Sequence, residues 1–146
     1  MRVALEEAEQ SGAAGDVPIG AVVLIDGRIV AQAGNRRERD HDPTAHAEVL
    51  ALRAAATQLG TWRLTGATLV VTLEPCPMCA GALLAARVDR VAFGAANTDS
   101  GACGTLYNLC ADPRLNHEVE VVPGVAADAS SALLDRFFAD RRPASP

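Results

Sequence analysis

Lysine is absent from this sequence, and aromatic residues are scarce. All 13 basic residues are arginines, 18 residues are acidic, and the formal net charge is -5. This acidic balance argues against a broad, non-specific nucleic-acid-binding protein, although it does not exclude a local arginine patch. Aromatic residues make up only 3% of the chain, whereas hydrophobic residues make up 49%. The core must therefore be built from alanine, valine and leucine, which suits helices packed on a sheet.

The chain also lacks a long apolar run. No stretch approaches the roughly 20 apolar residues that span a bilayer. In addition, Glu6, Glu7 and Glu9 interrupt the region where a secretory signal would need its apolar segment. We therefore expect a cytoplasmic protein with no membrane association. Because the chain starts directly in a helix-forming segment, we also expect a few residues to precede Met1.

Cysteines are few and are not arranged as a disulfide framework. Two of the four form a Cys-x-x-Cys pair at 76 and 79, and Cys103 and Cys110 stand apart. In a reducing compartment a close pair more often binds metal, and the two others fit as small buried hydrophobic residues. A length of 146 residues suits one domain, 1–146, which can bury a proper core without disulfides.

Hydrophobic periodicity and turn signals predict alternating helices and strands. The expected order is a helix at 1–13, strands at 18–25 and 28–33 joined by an Asp-Gly turn, a helix from 43 or 44 to 59, a strand at 67–73, a helix from 77 to 86 or 87, a strand at 88–93, a short helical piece near 105–110, a strand at 118–122 and a helix at 129–141. On the last helix we expect Leu133, Leu134, Phe137 and Phe138 to face inward. A hairpin followed by strand-helix-strand units predicts a three-layer α/β/α fold, with a mixed five-stranded sheet and helices on both faces.

The residues that carry chemistry are concentrated in two short segments. His46 and Glu48 form a His-x-Glu pair, and Cys76 and Cys79 belong to a Pro-Cys-Pro-Met-Cys run that starts at Pro75. One imidazole and two thiolates are three zinc ligands, and three protein ligands leave the fourth tetrahedral position open for an activated water. Both segments are predicted at helix N-termini, where unpaired N–H groups and the helix dipole favour thiolates. The spacing predicts one catalytic Zn²⁺ per subunit, held by His46, Cys76 and Cys79.

Glu48 is predicted as the catalytic proton carrier rather than as a zinc ligand. If His46 lies in the first turn of its helix, a residue two positions later points roughly 200° away from the ligand direction. From there its carboxylate can lean over the open position, take a proton from the activated water and deliver it to a leaving amine. Two alternatives remain. One is a closed structural site in a non-enzymatic, zinc-stabilised binding module; the other is a set of simply buried histidine and cysteine residues.

With the surrounding sequence, these segments resemble the cytidine deaminase-like superfamily and, within it, the bacterial tRNA-specific adenosine deaminases. The zinc pattern alone indicates only the superfamily. The His-Asp-Pro-Thr run at 41–44 and the Leu-Asn-His run at 115–117 indicate the tRNA branch. The resemblance covers nearly the whole chain, through the segments 15–23, 34–36, 41–48, 72–82, 93–95, 101–106 and 115–117.

The resemblance implies a cytidine deaminase-like fold that converts adenosine to inosine by hydrolysis at the wobble position of a tRNA anticodon. It implies a homodimer with each active site near the subunit interface. It also implies that Asn35 hydrogen bonds the flipped nucleoside, although this residue is also compatible with a simple turn. The backbone near Ala47 and from Glu74 to Pro75 is expected to border the base pocket, and Asn97 to contact substrate. In a single-stranded anticodon loop, the base leaves its stack at a low cost in free energy.

Two positions depart from the family pattern. The family commonly carries an aspartate at the position of Asn97 and a lysine at the position of Asp99. Asparagine at 97 changes any hydrogen bond to a ribose or a neighbouring base, and an acid at 99 repels a passing phosphate. The segment 136–146 is also short and less basic than expected. These departures and the negative net charge keep open a second function, a deaminase of free bases or nucleosides of the guanine or cytosine type.

A few other residues lie outside the predicted zinc site, and the roles expected of them are as follows. The charge run of Arg36, Arg37 and Arg39 lies beside the predicted pocket mouth and forms either a solvated face or a phosphate contact. His117 is predicted to hold a loop, and Trp62 to serve as a packing residue.

Overall fold

The computed structural model describes residues 1–142. Its elements are α1 (Arg2–Ala13), β1 (Gly20–Ile25), β2 (Arg28–Gly34), α2 (Ala47–Leu59), β3 (Ala67–Leu73), α3 (Pro77–Ala85), β4 (Arg90–Ala95), a 3₁₀ turn (Leu109–Ala111), β5 (Glu120–Val122) and α4 (Ala127–Ala139). Positions 143–146, which end the predicted domain and the predicted C-terminal segment, lie outside the described residues. Each helix within residues 1–142 is too short or too polar to cross a lipid bilayer.

The strands form one mixed sheet in the order β2-β1-β3-β4-β5, which confirms the five-stranded prediction. β1 runs antiparallel to both β2 and β3, whereas β3, β4 and β5 are parallel to one another. Because β3 and β4 are parallel neighbours, their carboxyl ends meet at the same edge of the sheet. The segments that follow these two strands, which start at Glu74 and Ala96, therefore lie side by side.

Helices cover both faces of the sheet, as the three-layer prediction requires. α1 and α4 pack on one face of the sheet, and α2 packs on the other. α3 lies beside α2, and its buried residues belong to the same core. The larger apolar core lies on the α2 and α3 side and is built mainly from alanine, valine and leucine. On the opposite face α1 approaches so closely that a Cβ at Gly20 would lie 1.9 Å from the carbonyl oxygen of Ala4. The absence of a side chain at this position allows the helix to pack directly on the strand.

Several element boundaries differ from the predicted ones. The main difference is α2, which begins at Ala47 rather than at 43 or 44. The Asp42 carboxylate accepts hydrogen bonds from both the backbone N–H and the hydroxyl of Thr44, each at 2.8 Å. These bonds stabilise a local turn, which competes with helix formation before residue 47. β4 also starts two residues later than predicted, because the N–H of Val88 bonds the carbonyl of Leu83 and closes the end of α3.

The prediction that Phe138 faces inward was wrong. Phe138 is 47% exposed, because it follows half-buried Phe137 by one position and so turns about 100° around α4 toward solvent. Trp62 is 59% exposed and lies in the connection between α2 and β3, with the Arg63 guanidinium 4.9 Å from its ring centroid. Trp62 borders an apolar cleft of about 370 Å³ between α2 and α3.

Candidate metal centre

Two neighbouring helices begin at the predicted ligand residues. His46 is the N-cap of α2 and has an extended backbone, with φ -72° and ψ 149°. Cys76 is the N-cap of α3, Pro77 occupies the first position of that helix, and Cys79 follows in the first turn. The expectation that His46 lies inside the first helical turn was therefore wrong, since helix formation starts one residue after it. The positive ends of both helix dipoles face the same region, which favours thiolates there.

The side chains of His46, Cys76 and Cys79 converge. The Nδ1 atom of His46 lies 3.6 Å from the Cys76 Sγ and 3.4 Å from the Cys79 Sγ. All three ligand atoms lie within 4.8 Å of one another. Tetrahedral zinc, with bonds of about 2.3 Å to sulfur and about 2.0 Å to nitrogen, separates a nitrogen and a sulfur ligand by about 3.5 Å. The residues present therefore fit Zn²⁺.

No fourth side chain among residues 1–142 joins this group. Cys103 and Cys110, the other candidates for a sulfur ligand, are buried elsewhere, with their sulfur atoms 3.6 Å from each other. Their burial agrees with the prediction that they act as small hydrophobic residues. A closed zinc site needs four protein ligands, and this group supplies three. The geometry therefore favours a site with an open coordination position.

Hydrogen bonds between the ligand side chains shift their pKa values. The Cys79 thiol bonds the Cys76 sulfur and, together with His46, lowers the pKa of Cys76 to about 4. The same pairing and burial raise the pKa of Cys79. The Cys76 sulfur in turn raises the pKa of His46. Cys76 is therefore a thiolate at neutral pH, which is the form that binds metal.

Glu48 is the buried acid of the site. It is the second residue of α2 and is only 4% exposed. Burial raises the pKa of its carboxyl to about 7, and hydrogen bonding to its own backbone and attraction to His46 only partly oppose this shift. The predicted 200° separation does not describe this geometry, because His46 is extended rather than helical. Glu48 instead lies close enough to His46 and Cys79 to perturb both of their pKa values.

A small cavity of about 140 Å³ opens beside His46. It is lined by Val17, Ile19, Asn35, Arg37, His46 and Ala47. Asn35 and Ala47, which were predicted to contact substrate, are both part of this lining. The Asn35 amide also holds the local backbone, because its Nδ2 donates to the Val17 carbonyl and its Oδ1 accepts from the N–H of Arg37. Asn35 therefore combines a structural role with a position on the cavity wall.

Pro75 and Asn97 do not line this cavity. Pro75 is buried, and its carbonyl accepts a hydrogen bond of 2.9 Å from the N–H of Ala102. Asn97 borders a wider cleft of about 410 Å³ that also includes Val17, Asp99 and Phe138. Val17 lines both spaces, so the wider cleft adjoins the cavity at His46. We refer to it as the outer cleft.

The three arginines beside the entrance are not equivalent. Arg36 pairs with Asp40 at 2.9 Å on the surface, and Arg39 pairs with Asp16 at 2.7 Å. Arg37 lines the cavity at His46, and its ion-pair partner, Glu38, lies 4.0 Å away. Of the run, Arg37 is therefore the best placed to contact a phosphate.

Sequence reasoning missed the side chains of two buried acids, Asp16 and Glu74, which are 0% and 1% exposed. Asp16 accepts hydrogen bonds from Arg39 and from the N–H of Glu38. Glu74 accepts several hydrogen bonds from the segment after β4. The signal in the sequence was an acid within an otherwise apolar stretch. Such an acid is expected to be buried, and buried acids are nearly always paired. His117 was predicted correctly as a loop-holding residue: its Nε2 lies 2.7 Å from the Val88 carbonyl oxygen.

Comparison with known families and structures agrees with this geometry. The family model for the cytidine and deoxycytidylate deaminase zinc-binding region matches residues 1–95. A tRNA-specific adenosine deaminase of Bacillus subtilis is 50% identical over 142 residues, which cover 97% of this chain and 88% of the relative.

Solved structures show the same similarity. One, from structural work on A-to-I editing by tRNA:A34 deaminases at the wobble position of transfer RNA, is 43% identical with a TM-score of 0.89 and covers 92% of this chain and 97% of its own. A guanine deaminase from Nitrosomonas europaea is 28% identical with a TM-score of 0.79 and covers 94% of this chain and 82% of its own.

Proposed function

We propose that this chain, which belongs to the cytidine and deoxycytidylate deaminase zinc-binding family, is a tRNA-specific adenosine deaminase. The reaction is the hydrolysis of adenosine to inosine and ammonia at the wobble position of a tRNA anticodon. The observation that carries the proposal is the convergence of His46, Cys76 and Cys79 beside buried Glu48, in a chain that is half identical to an enzyme of this specificity.

His46, Cys76 and Cys79 would hold the single zinc ion. When bound at such a site, zinc acts as a Lewis acid and lowers the pKa of water to about 7. The chain supports this chemistry with two helix N-termini directed at the thiolates, which offset their negative charge. The imidazole presents Nδ1 to both sulfur atoms, so the ring orientation needed for binding is already present.

Glu48 would carry the proton between water and the leaving group. Burial raises the pKa of its carboxyl to about 7, so the group can both accept and release a proton near neutral pH. Its carboxylate would take one proton from the attacking water and deliver it to the exocyclic amine at C6 of the base. That nitrogen then leaves as ammonia. The remaining proton of the water moves to N1 of the base, and the carbonyl of inosine forms at C6.

The cavity at His46 would receive the flipped base. Asn35 and Ala47 line it, and Arg37 lies where it can contact a phosphate of the same nucleotide or its neighbour. Asn97 lies further out, so we propose that it acts on the adjoining substrate through the outer cleft. Pro75 is buried and lines neither space. An RNA loop suits this arrangement because its unpaired bases enter such a cavity at little cost.

A second candidate function is the deamination of free guanine-type bases. The supporting observation is the structural similarity to the guanine deaminase, together with exposed Asp99 beside the outer cleft. We rank it second because both the identity and the TM-score are higher for the tRNA deaminases.

The deciding experiment compares substrates with the zinc-loaded protein. One arm contains an anticodon stem-loop with adenosine at the wobble position, and a matched control stem-loop carries guanosine there. The other arm contains free adenine, guanine, cytosine and their nucleosides. Inosine formed only in the adenosine stem-loop supports the proposal. Ammonia released from free bases, with an unchanged stem-loop, supports the second candidate.

We also propose a cytoplasmic homodimer made of single-domain subunits. Support for the dimer comes from α3, which carries no charged residue and leaves Pro77, Met78 and Ala85 exposed beside the apolar cleft at Trp62. An exposed apolar surface of this kind is typical of an interface. Light scattering tests the proposal: the wild-type protein should have twice the mass of the chain. A monomer at every concentration would contradict it.

A further inference from the structure

We propose that Glu74 is a positioning residue that holds the segment 97–105 against the metal-ligand segment and thereby shapes the outer cleft. This inference rests on the proposed function for its substrate. We refer to the segment 97–105 as the cleft loop. Glu74 follows β3 and precedes Pro75 and Cys76, and its side chain is 1% exposed.

The two carboxyl oxygens of Glu74 accept four hydrogen bonds, and all four donors belong to the cleft loop. Oε1 accepts from the N–H of Asn97 at 3.3 Å and from the hydroxyl of Thr105. Oε2 accepts from the N–H groups of Cys103 and Thr105, both at 3.1 Å. One side chain thus bonds both ends of the loop, which fixes its closed shape.

Two further contacts, each to a backbone carbonyl, join the same two segments. The Asn97 Nδ2 lies 3.5 Å from the carbonyl oxygen of Glu74, and the N–H of Ala102 bonds the carbonyl of Pro75 at 2.9 Å. Cys76, the first sulfur ligand, follows immediately. Any displacement of the cleft loop therefore changes its position relative to the metal centre.

The cleft loop packs closely on the carboxyl group at Gly101. A Cβ at Gly101 would lie 2.4 Å from Oε2 of Glu74 and 2.5 Å from the carbonyl oxygen of Asn97. The loop therefore passes directly over the carboxyl group. A buried acceptor with this many donors is costly to remove, because each donor then loses its partner away from water.

The cleft loop forms one wall of the outer cleft. Asn97, Asp99 and Ser100 line it, opposite Leu134 and Phe138 of α4. Glu74 itself lines neither the outer cleft nor the cavity at His46. Its effect on substrate must therefore pass through the loop, which makes it a positioning residue and not a catalytic one.

The test uses the zinc-loaded full chain and the variant Glu74→Gln, which keeps the shape of the side chain but turns an amide donor toward N–H donors. We expect one zinc per chain, kcat for the stem-loop within about threefold of wild type, and KM raised about tenfold, which corresponds to about 1.4 kcal/mol. Unchanged KM would overturn the proposal, and so would a loss confined to kcat.

A matched control separates positioning from general stability. Val23→Ala removes buried side-chain volume from the half of β1 that pairs with Leu69, toward the opposite end of β3 from Glu74. This variant should lower the melting temperature while leaving KM unchanged. If it raised KM as much as Glu74→Gln, the effect would be general destabilisation and the proposal would fail.

A second readout requires no substrate. Amide hydrogen exchange at Cys103 and Thr105 should become faster in Glu74→Gln and stay unchanged in Val23→Ala. If wild-type protein leaves the stem-loop unchanged, the proposed function fails, and exchange alone decides whether Glu74 holds the loop.

Should Glu74→Gln not fold, Thr105→Val removes one donor to the same carboxyl group. That variant should raise KM about two- to threefold, and an unchanged KM together with wild-type exchange would refute the role of Glu74.

Discussion

The metal centre and the loops beside it are held in place by different interactions. His46 and Cys76 are the N-caps of α2 and α3, and Cys79 lies in the first turn of α3. Both helices are anchored in the larger apolar core. The two bordering loops, 36–42 and 97–105, each form hydrogen bonds with one buried acid from another part of the chain. Asp16 bonds Arg39 and the backbone of the first loop, and Glu74 bonds the second.

This difference separates chemistry from recognition. The ligand helices are held in a close-packed apolar core, so we expect a change in a loop hydrogen bond to leave the ligand geometry in place. When a buried carboxyl group is changed, the loop N–H groups that it bonds lose their acceptor, so we expect the loop to shift. Substitutions in the metal centre should therefore abolish turnover, whereas substitutions of the buried acids should weaken substrate binding and leave zinc in place.

Removal of a sulfur ligand should have the largest effect. In Cys76→Ala we expect zinc content near zero and no detectable turnover, since two remaining ligands cannot hold the ion in its tetrahedral site. Zinc analysis by mass spectrometry and the stem-loop assay measure both. Cys110→Ala is the matched control, because this equally small thiol is buried outside both the ligand group and the cleft loop and should keep zinc and activity. Full zinc occupancy in Cys76→Ala would refute the ligand assignment.

Replacement of the proton carrier should have the next largest effect. Glu48→Gln keeps the size of the side chain but cannot accept a proton, so we expect kcat to fall about 10²- to 10⁴-fold with one zinc per chain retained. Single-turnover rates and zinc analysis test this prediction. Glu38→Gln, at an exposed position of the loop 36–42, provides the control and should retain the wild-type rate. A near-normal rate in Glu48→Gln would show that another group moves the proton.

Loss of the acid beneath the loop 36–42 should have a smaller effect. Asp16→Asn removes the charge that pairs with Arg39 and places an amide donor near N–H donors. We expect the free energy of unfolding to fall by about 1–2 kcal/mol and KM for the stem-loop to rise about threefold, with kcat unchanged. Denaturant unfolding and steady-state kinetics measure these effects. Asp40→Asn is the control, because its ion pair with Arg36 is exposed and contributes little. A loss of kcat in Asp16→Asn would contradict the separation of chemistry from recognition.

Much of the fold followed from local pattern. The Asp-Gly turn predicted the β1-β2 hairpin, and the β-branched run at 67–73 predicted β3 with its observed bounds. Predictions failed where side chains compete with the helix or where burial depends on distant partners. The Asp42–Thr44 hydrogen bonds delay α2, and no local signal distinguishes exposed Phe138 from half-buried Phe137.

The sequence by itself determined the chemistry, because ligand type and local spacing are properties of neighbouring residues. Cys76 and Cys79 lie one turn apart at a helix that Pro77 starts, and this arrangement needs no distant contact. The tertiary structure decided how His46, thirty residues earlier, meets these sulfur atoms, namely as the N-cap of a neighbouring helix. It also decided that Asp16 and Glu74 are buried beneath the loops that border the site. The first outcome depends on α2 and α3 packing side by side, and the second depends on loops that return to the site from other parts of the chain. Local propensity does not encode contacts between segments so far apart in the chain.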